Sequence, residues 1–179
     1  VTGLPNHTLF YDRLGQIIQS SKHDGSHAFV FMIDIDRFKR LNGALGSRAG
    51  DQVLRLVAQR LVNGFGRPCT VARLGNDVFV IAGACGASEN LLPLVEHAAD
   101  VVTPAIQLDG NDVHLSVHAG IASYPRDGAD AETVFRHAEA ALRQAKGGGA
   151  RLSFYSPEMN AAMEAKLELE SMLRRACEQ

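Results

Sequence analysis

The stretch Ala28-Phe29-Val30-Phe31-Met32-Ile33 is uninterrupted apolar sequence, too short for an ordinary helix. Such a run predicts a strand buried on both faces, hence the centre of a sheet. It closes on Asp34-Ile35-Asp36, so a covered strand ends in carboxylates. Two further short apolar runs, Cys69 to Ala72 and Val78 to Ala82, flank Arg73-Leu74-Gly75-Asn76-Asp77. Gly-Asn between strand-length runs predicts a hairpin turn, because Gly reaches positive φ freely and Asn tolerates it. Asp77 then stands at the hairpin tip or one residue past it. It reads either as a solvated side chain or as an acid able to reach a cation.

Helical and strand patterns alternate around these runs. Asn6 is a good N-cap for a helix carrying Phe10, Leu14, Ile17 and Ile18. Phe38 to Asn42 predicts a short helical turn, and a helix from about Arg48 carries Val53, Leu54, Val57, Ala58 and Leu61 on one face. Leu91, Val95, Ala98, Ala99 and Val102 mark a third helix, with Pro93 tolerable in its first turn. Ile106 to Leu108 and Val113 to Ser123 read as two strands around the tight turn Asp109-Gly110-Asn111-Asp112. Asp130 caps a helix with Val134, Phe135, Ala138, Leu142 and Ala145 inward, and Gly147-Gly148-Gly149 stops it. Leu152 to Tyr155 is a last strand, and Ser156-Pro157 opens a terminal helix. Hairpins mixed with helices predict an α/β sandwich with a central mixed or antiparallel sheet flanked by helices.

The chain has 179 residues, enough for one domain with a sizeable core. Its net charge of −2 offers no basic surplus, which argues against nucleic acid or an anionic membrane as main partner. Cys69, Cys85 and Cys177 share no metal-type spacing and read as thiols of a reducing compartment. No apolar run approaches the roughly 20 residues of a membrane span, and Val1 to Asn6 has no signal-peptide character. The expected location is cytoplasmic. The opening at Val1 suggests a piece of a longer protein, which is free to be membrane-attached elsewhere. His114 and His118 read as ordinary strand histidines, and Gly147 to Gly149 lacks the Lys-Ser/Thr of a phosphate loop.

Residues two apart on a strand share a face, so Asp34 and Asp36 lie together if extended geometry persists. Paired carboxylates suit a hard cation such as Mg²⁺, and Lys39 lies within reach of phosphate oxygens. The competing reading is that these acids cap the turn Arg37 to Asn42. It is preferred for Asp36 and left open for Asp34.

These segments, taken in order, resemble the GGDEF domain of the diguanylate cyclase family. Thr2-Gly3-Leu4-Pro5-Asn6 is similar to the family's opening motif. Asp34-Ile35-Asp36-Arg37-Phe38-Lys39-Arg40-Leu41-Asn42, followed by Gly46, Gly50 and Asp51, resembles the metal and guanine segment. Gly75-Asn76-Asp77-Val78-Phe79 stands where the signature belongs. Gly120-Ile121-Ala122, Tyr124-Pro125, Asp127-Gly128 and Ala145-Lys146 complete a match over about residues 1–155. The resemblance implies a nucleotidyl-cyclase-like sandwich and a reaction between two facing domains. Each holds one GTP with divalent metal, and each 3′-hydroxyl attacks the other's α-phosphate to give cyclic di-GMP. It also implies that Asp34, the Ile35 carbonyl and Asp77 hold Mg²⁺. Asn42 and Asp51 would bind guanine, Lys39 and Lys146 would neutralise phosphate, and Arg37 and Phe38 would offer backbone N–H groups.

The chain also departs from the pattern. Asn76 replaces the second glycine of the signature and Val78 replaces its last acid. Val can neither bind metal nor take a proton, and losing such a carboxylate costs on the order of 3–5 kcal/mol of transition-state stabilisation. Gly43 stands in place of an Asp, Ser47 in place of a His, Arg143 in place of a Tyr, and Ala150 in place of a phosphate-binding Arg. The product-inhibition motif would fall on Gly66 and Cys69, neither charged, so no such site is expected. Leu167 to Ala176 resembles the helix that joins a GGDEF domain to a following EAL phosphodiesterase domain. The expectation is therefore a GGDEF-like domain over 1–155 and a linker helix over 156–179. None of Gly75, Asn76, Asp77, Val78 and Phe79 is expected to be catalytically competent. The domain would act as a regulatory, GTP-sensing or interaction module for an adjacent EAL domain, with homodimerisation open. The alternatives are an active diguanylate cyclase and a dimerisation scaffold with an empty site.

Overall fold

The computed structural model describes residues 1–108 and 110–157. Asp109 of the tight turn and the expected terminal helix beyond Pro157 lie outside the described residues. The elements run α1 (His7–Asp24), β1 (His27–Ile35), α2 (Phe38–Leu45), α3 (Ser47–Phe65), β2 (Thr70–Arg73), β3 (Val78–Cys85), α4 (Leu92–Val102), β4 (Ile106–Leu108), β5 (Asn111–Val113), β6 (Val117–Tyr124), α5 (Ala131–Gly148) and β7 (Leu152–Phe154). The main sheet has five strands in the order β2-β3-β1-β6-β7, and β4 pairs with β5 in a separate two-stranded sheet. Neighbours in the main sheet are antiparallel except β6 and β7. The expected sandwich with a central mixed sheet is the observed architecture.

The central strand shows why its sequence does not alternate. Phe29, Phe31, Ile33 and Ile35 pack with Val53, Val57 and Leu61 of α3 and with Val95 and Val102 of α4. Ala28, Val30 and Met32 pack on the other face with Phe10 and Leu14 of α1 and with Val134, Ala138 and Leu142 of α5. With helices on both faces, every position must be apolar until the strand reaches the edge of the core at Asp34.

The placement of α5 depends on Gly120. A Cβ there would come within 2.1 Å of the Leu142 nitrogen and 2.4 Å of the Ala138 carbonyl oxygen. Only glycine lets the helix backbone lie this close to β6, and that approach fixes the height of the last turns of α5 over the end of β1. The N-caps meet expectation: Asn6 accepts from the Leu9 amide and Asp130 from the Thr133 amide.

Three local expectations are corrected. The hairpin does not use positive φ at Gly75 or Asn76. The Leu74 amide donates to the Val78 carbonyl at 2.9 Å and closes a loop over Gly75, Asn76 and Asp77. The turn at Phe38 extends into the eight-residue α2. The strand expected over Val113 to Ser123 is broken at 114–116, so that its ends pair in different sheets. Val113, Leu115, Val117, Ala119 and Ile121 all contribute to one core cluster. Alternation reports the shared face and is blind to the change of pairing partner.

Candidate functional site

The carboxylates meet where β1 leaves the sheet. Asp34 pairs with Val78 on one side and His118 on the other. It is only 4% exposed, and its Oδ2 lies 2.8 Å from Lys146 Nζ. The Ile35 amide donates to the Asp77 carbonyl at 3.1 Å, extending the β1–β3 ladder to the residue before β3. Burial first, and then the negative charge of Asp34, push the Asp77 carboxyl above its ordinary range. Lys146 and Lys39 oppose that push, which places both ammonium groups within electrostatic reach of Asp77. The structure therefore gathers Asp34, Asp77 and Lys146 at one strand end.

Asp36 does not join them. Its amide donates to the Ser116 carbonyl, its Oδ2 accepts from the Ser116 hydroxyl at 3.3 Å, and Arg37 Nε lies 3.6 Å away. Nor does it cap α2, which has no side-chain cap. The residue at that cap is Arg37, in the left-handed region at φ 54°. Such a backbone costs on the order of 1 kcal/mol or more in a non-glycine residue. It leaves the first amides of α2, beginning at Phe38, outside the helix's own hydrogen bonding.

Across the sheet, Asn42 of α2 lies over Gly50 of α3. A Cβ on Gly50 would fall 1.7 Å from Asn42 Oδ1, so only glycine leaves room for that amide. The Oδ1 is buried without a hydrogen-bond partner. A buried orphan acceptor is costly unless a ligand completes it. Half-buried Asp51 follows Gly50 directly in α3.

Sequence reasoning missed several residues. Arg73 braces the signature loop: its Nη2 donates to the Asn76 carbonyl at 2.8 Å, and its amide donates to the Pro5 carbonyl. His118, read as an ordinary strand residue, is the cross-strand neighbour of Asp34, with its Nδ1 buried and without a partner. A cavity of about 310 Å³ opens beside Asp34, with apolar lining from Met32, Leu74, Val78 and Leu142 and polar lining from Glu139, Arg143 and Lys146. The spacing of Glu139, Arg143 and Lys146 along α5 was the available signal, since residues four and seven apart share a helix face. Gly66 and Cys69 sit in the turn between α3 and β2, where the Cys69 amide donates to the Gly66 carbonyl. Among the described residues no helix is long and apolar enough to cross a membrane.

Fold and site together define an α/β domain with paired carboxylates at the end of a doubly buried strand. The chain belongs to the GGDEF domain family of diguanylate cyclases, whose sequence model matches residues 1–151. It is 35% identical over 179 residues to MucR of Pseudomonas aeruginosa, a bifunctional diguanylate cyclase/cyclic di-GMP phosphodiesterase, covering 99% of the chain and 26% of MucR. It is 30% identical over 179 residues to the cyclic di-GMP phosphodiesterase PdeR of Escherichia coli, covering 99% of the chain and 27% of PdeR. The chain thus spans about a quarter of the length of these curated relatives. The crystal structure of the GGDEF domain of YfiN (TpbB) from Pseudomonas aeruginosa superposes with a TM-score of 0.82 at 31% identity, covering 87% of this chain and 99% of that one. The GGDEF domain of DgcB from Caulobacter crescentus, in complex with c-di-GMP, superposes with a TM-score of 0.77 at 26% identity, covering 86% and 92%.

Proposed function

We propose that this GGDEF domain binds GTP with Mg²⁺ but does not turn it over, and serves as a regulatory module for an adjacent EAL domain. The observation that carries the reading is Val78. It stands directly opposite Asp34 in the β1–β3 ladder, so an isopropyl group lies beside the carboxylate pair where the family signature has an acid.

The grips on base and cation and the phosphate lysines are retained, while Ala150 leaves out a phosphate-binding Arg. Asn42 keeps an orphan acceptor over Gly50 for a guanine edge, with Asp51 next to it. Asp34 and Asp77 are oxygen donors whose mutual repulsion a hard divalent cation relieves, and the Ile35 carbonyl adjoins them. Bound Mg²⁺ would supply charge neutralisation to the phosphates. The chain itself would add Lys39, Lys146 and the free amides of α2 around Arg37 and Phe38. The loss of the acid removes proton-accepting or charge-stabilising capacity and leaves these contacts untouched. The uncharged Gly66 and Cys69 support a domain without a product-inhibition site. The names of MucR and PdeR support a phosphodiesterase partner for the domain over 1–155; the reading joins it through a linker over 156–179 and sets both in the cytoplasm.

A second reading, an active cyclase, is favoured by the intact Asp34–Asp77 pair and by the bifunctional name of MucR. Calorimetric titration of GTP in the presence of Mg²⁺ tests the binding half. Saturable binding that weakens without Mg²⁺ is expected; no binding at millimolar nucleotide rejects it.

A further inference from the structure

Among the described residues Arg143, like Lys39, is a cation of the site without an ion pair. Lys146 is held by Asp34 at 2.8 Å. Arg143 lies three residues earlier on α5, lines the same cavity and is exposed. Among the described residues it forms no ion pair, not even with Glu139 four residues before it. Two carboxylates also line the cavity: Asp34 is paired with Lys146, and Glu139 makes no ion pair with Arg143. A guanidinium in such a place has unused donors beside a strand end where anionic ligand would be expected to concentrate.

Two departures from the family pattern meet in this one cavity. Val78 removes a negative charge and Arg143 adds a positive one in place of a phenol. Both changes move the cavity towards positive charge, so that Arg143 and Lys146 balance the carboxylates of Asp34 and Glu139.

We infer that Arg143 is an affinity-determining contact for the phosphates of the bound nucleotide beyond the first, supplying the cation that Ala150 does not. The inference rests on the nucleotide-binding reading above. Asn42 and Gly50 belong to α2 and α3, on one side of the sheet, whereas Arg143 and Lys146 belong to α5 on the other. A nucleotide whose base sits at Asn42 crosses the ends of β1 and β3 before reaching α5, so the end that arrives is the terminal phosphates. The cavity, about 310 Å³, has room for that end. The planar guanidinium fork matches two phosphate oxygens at once, which an ammonium does not.

The test is calorimetric titration of the protein and of Arg143→Ala and Arg143→Lys with GTP, GDP and GMP in Mg²⁺. Arg143→Ala is expected to weaken GTP about tenfold and GMP less than twofold, with Arg143→Lys in between. Its melting midpoint should not fall, because alanine at an exposed helix position is the best helix former. Unchanged GTP affinity, or equal losses for GTP and GMP, overturns the inference and leaves the binding reading standing. If the unaltered protein binds none of the three, both fail together.

Discussion

The two sides of the sheet have been treated differently. On the α2–α3 side Asn42 keeps its place over Gly50 and Asp51 follows, although Gly43 and Ser47 depart from the family pattern there. On the hairpin–α5 side Val78 and Arg143 have replaced an acid and a phenol, and both line one cavity. On the proposed reading the first side takes the base and the second the phosphates. A site that had merely decayed would be expected to lose both at random. Here two of the changes, Val78 and Arg143, meet in one cavity, which accords with the proposal that binding is kept and turnover given up.

The largest effect should come from Gly120→Ala. The added methyl would meet backbone of α5 and push the helix off β6, and overpacking of this kind costs about 3 kcal/mol. Urea denaturation reads the loss. Because α5 moves as a unit, the contacts of Lys146 and Arg143 should weaken together while base recognition survives. Gly50→Ala should do the opposite. Its Cβ would displace the Asn42 amide, so nucleotide affinity should fall by about 2 kcal/mol by titration. Stability should change little, since alanine suits the first turns of α3. Equal effects of both substitutions on guanosine and on GTP would erase the distinction between the two sides.

The smallest effect is a pH dependence. The folded state raises the Asp77 carboxyl, so its contribution to stability is fully present below the ordinary carboxylate range and is lost as pH rises through the raised value. Asp77→Asn should therefore stabilise the metal-free protein at neutral pH and show no advantage in acid. The gain should stay below about 1 kcal/mol, because water screens a carboxyl this exposed. The same substitution should abolish any Mg²⁺-dependent gain in melting temperature.

Much of this was legible in the residues. An unbroken apolar run with acids at its end specified a doubly buried strand and the place of the site, since both follow from burial alone. The motif series specified which acids and amides to look for. What escaped depended on pairing and approach. The break after Val113 is invisible because residues on either side of it serve one core. The shape of the signature loop rests on Arg73 reaching the Asn76 carbonyl, not on glycine conformation. Asp36 looked like a partner of Asp34 by strand parity, yet the strand stops at Ile35 and Ser116 takes the side chain. The meeting of Val78 with Arg143 required the height of α5 over the sheet, which is set by Gly120 at a distance from both.

The account turns on whether bound GTP stays GTP. Chromatographic quantitation of cyclic di-GMP and pyrophosphate, after prolonged incubation of the protein with GTP and Mg²⁺, measures that directly. The expected result is nucleotide recovered intact, with product at the level of a protein-free control. Accumulating cyclic di-GMP that disappears on Asp77→Ala would contradict it.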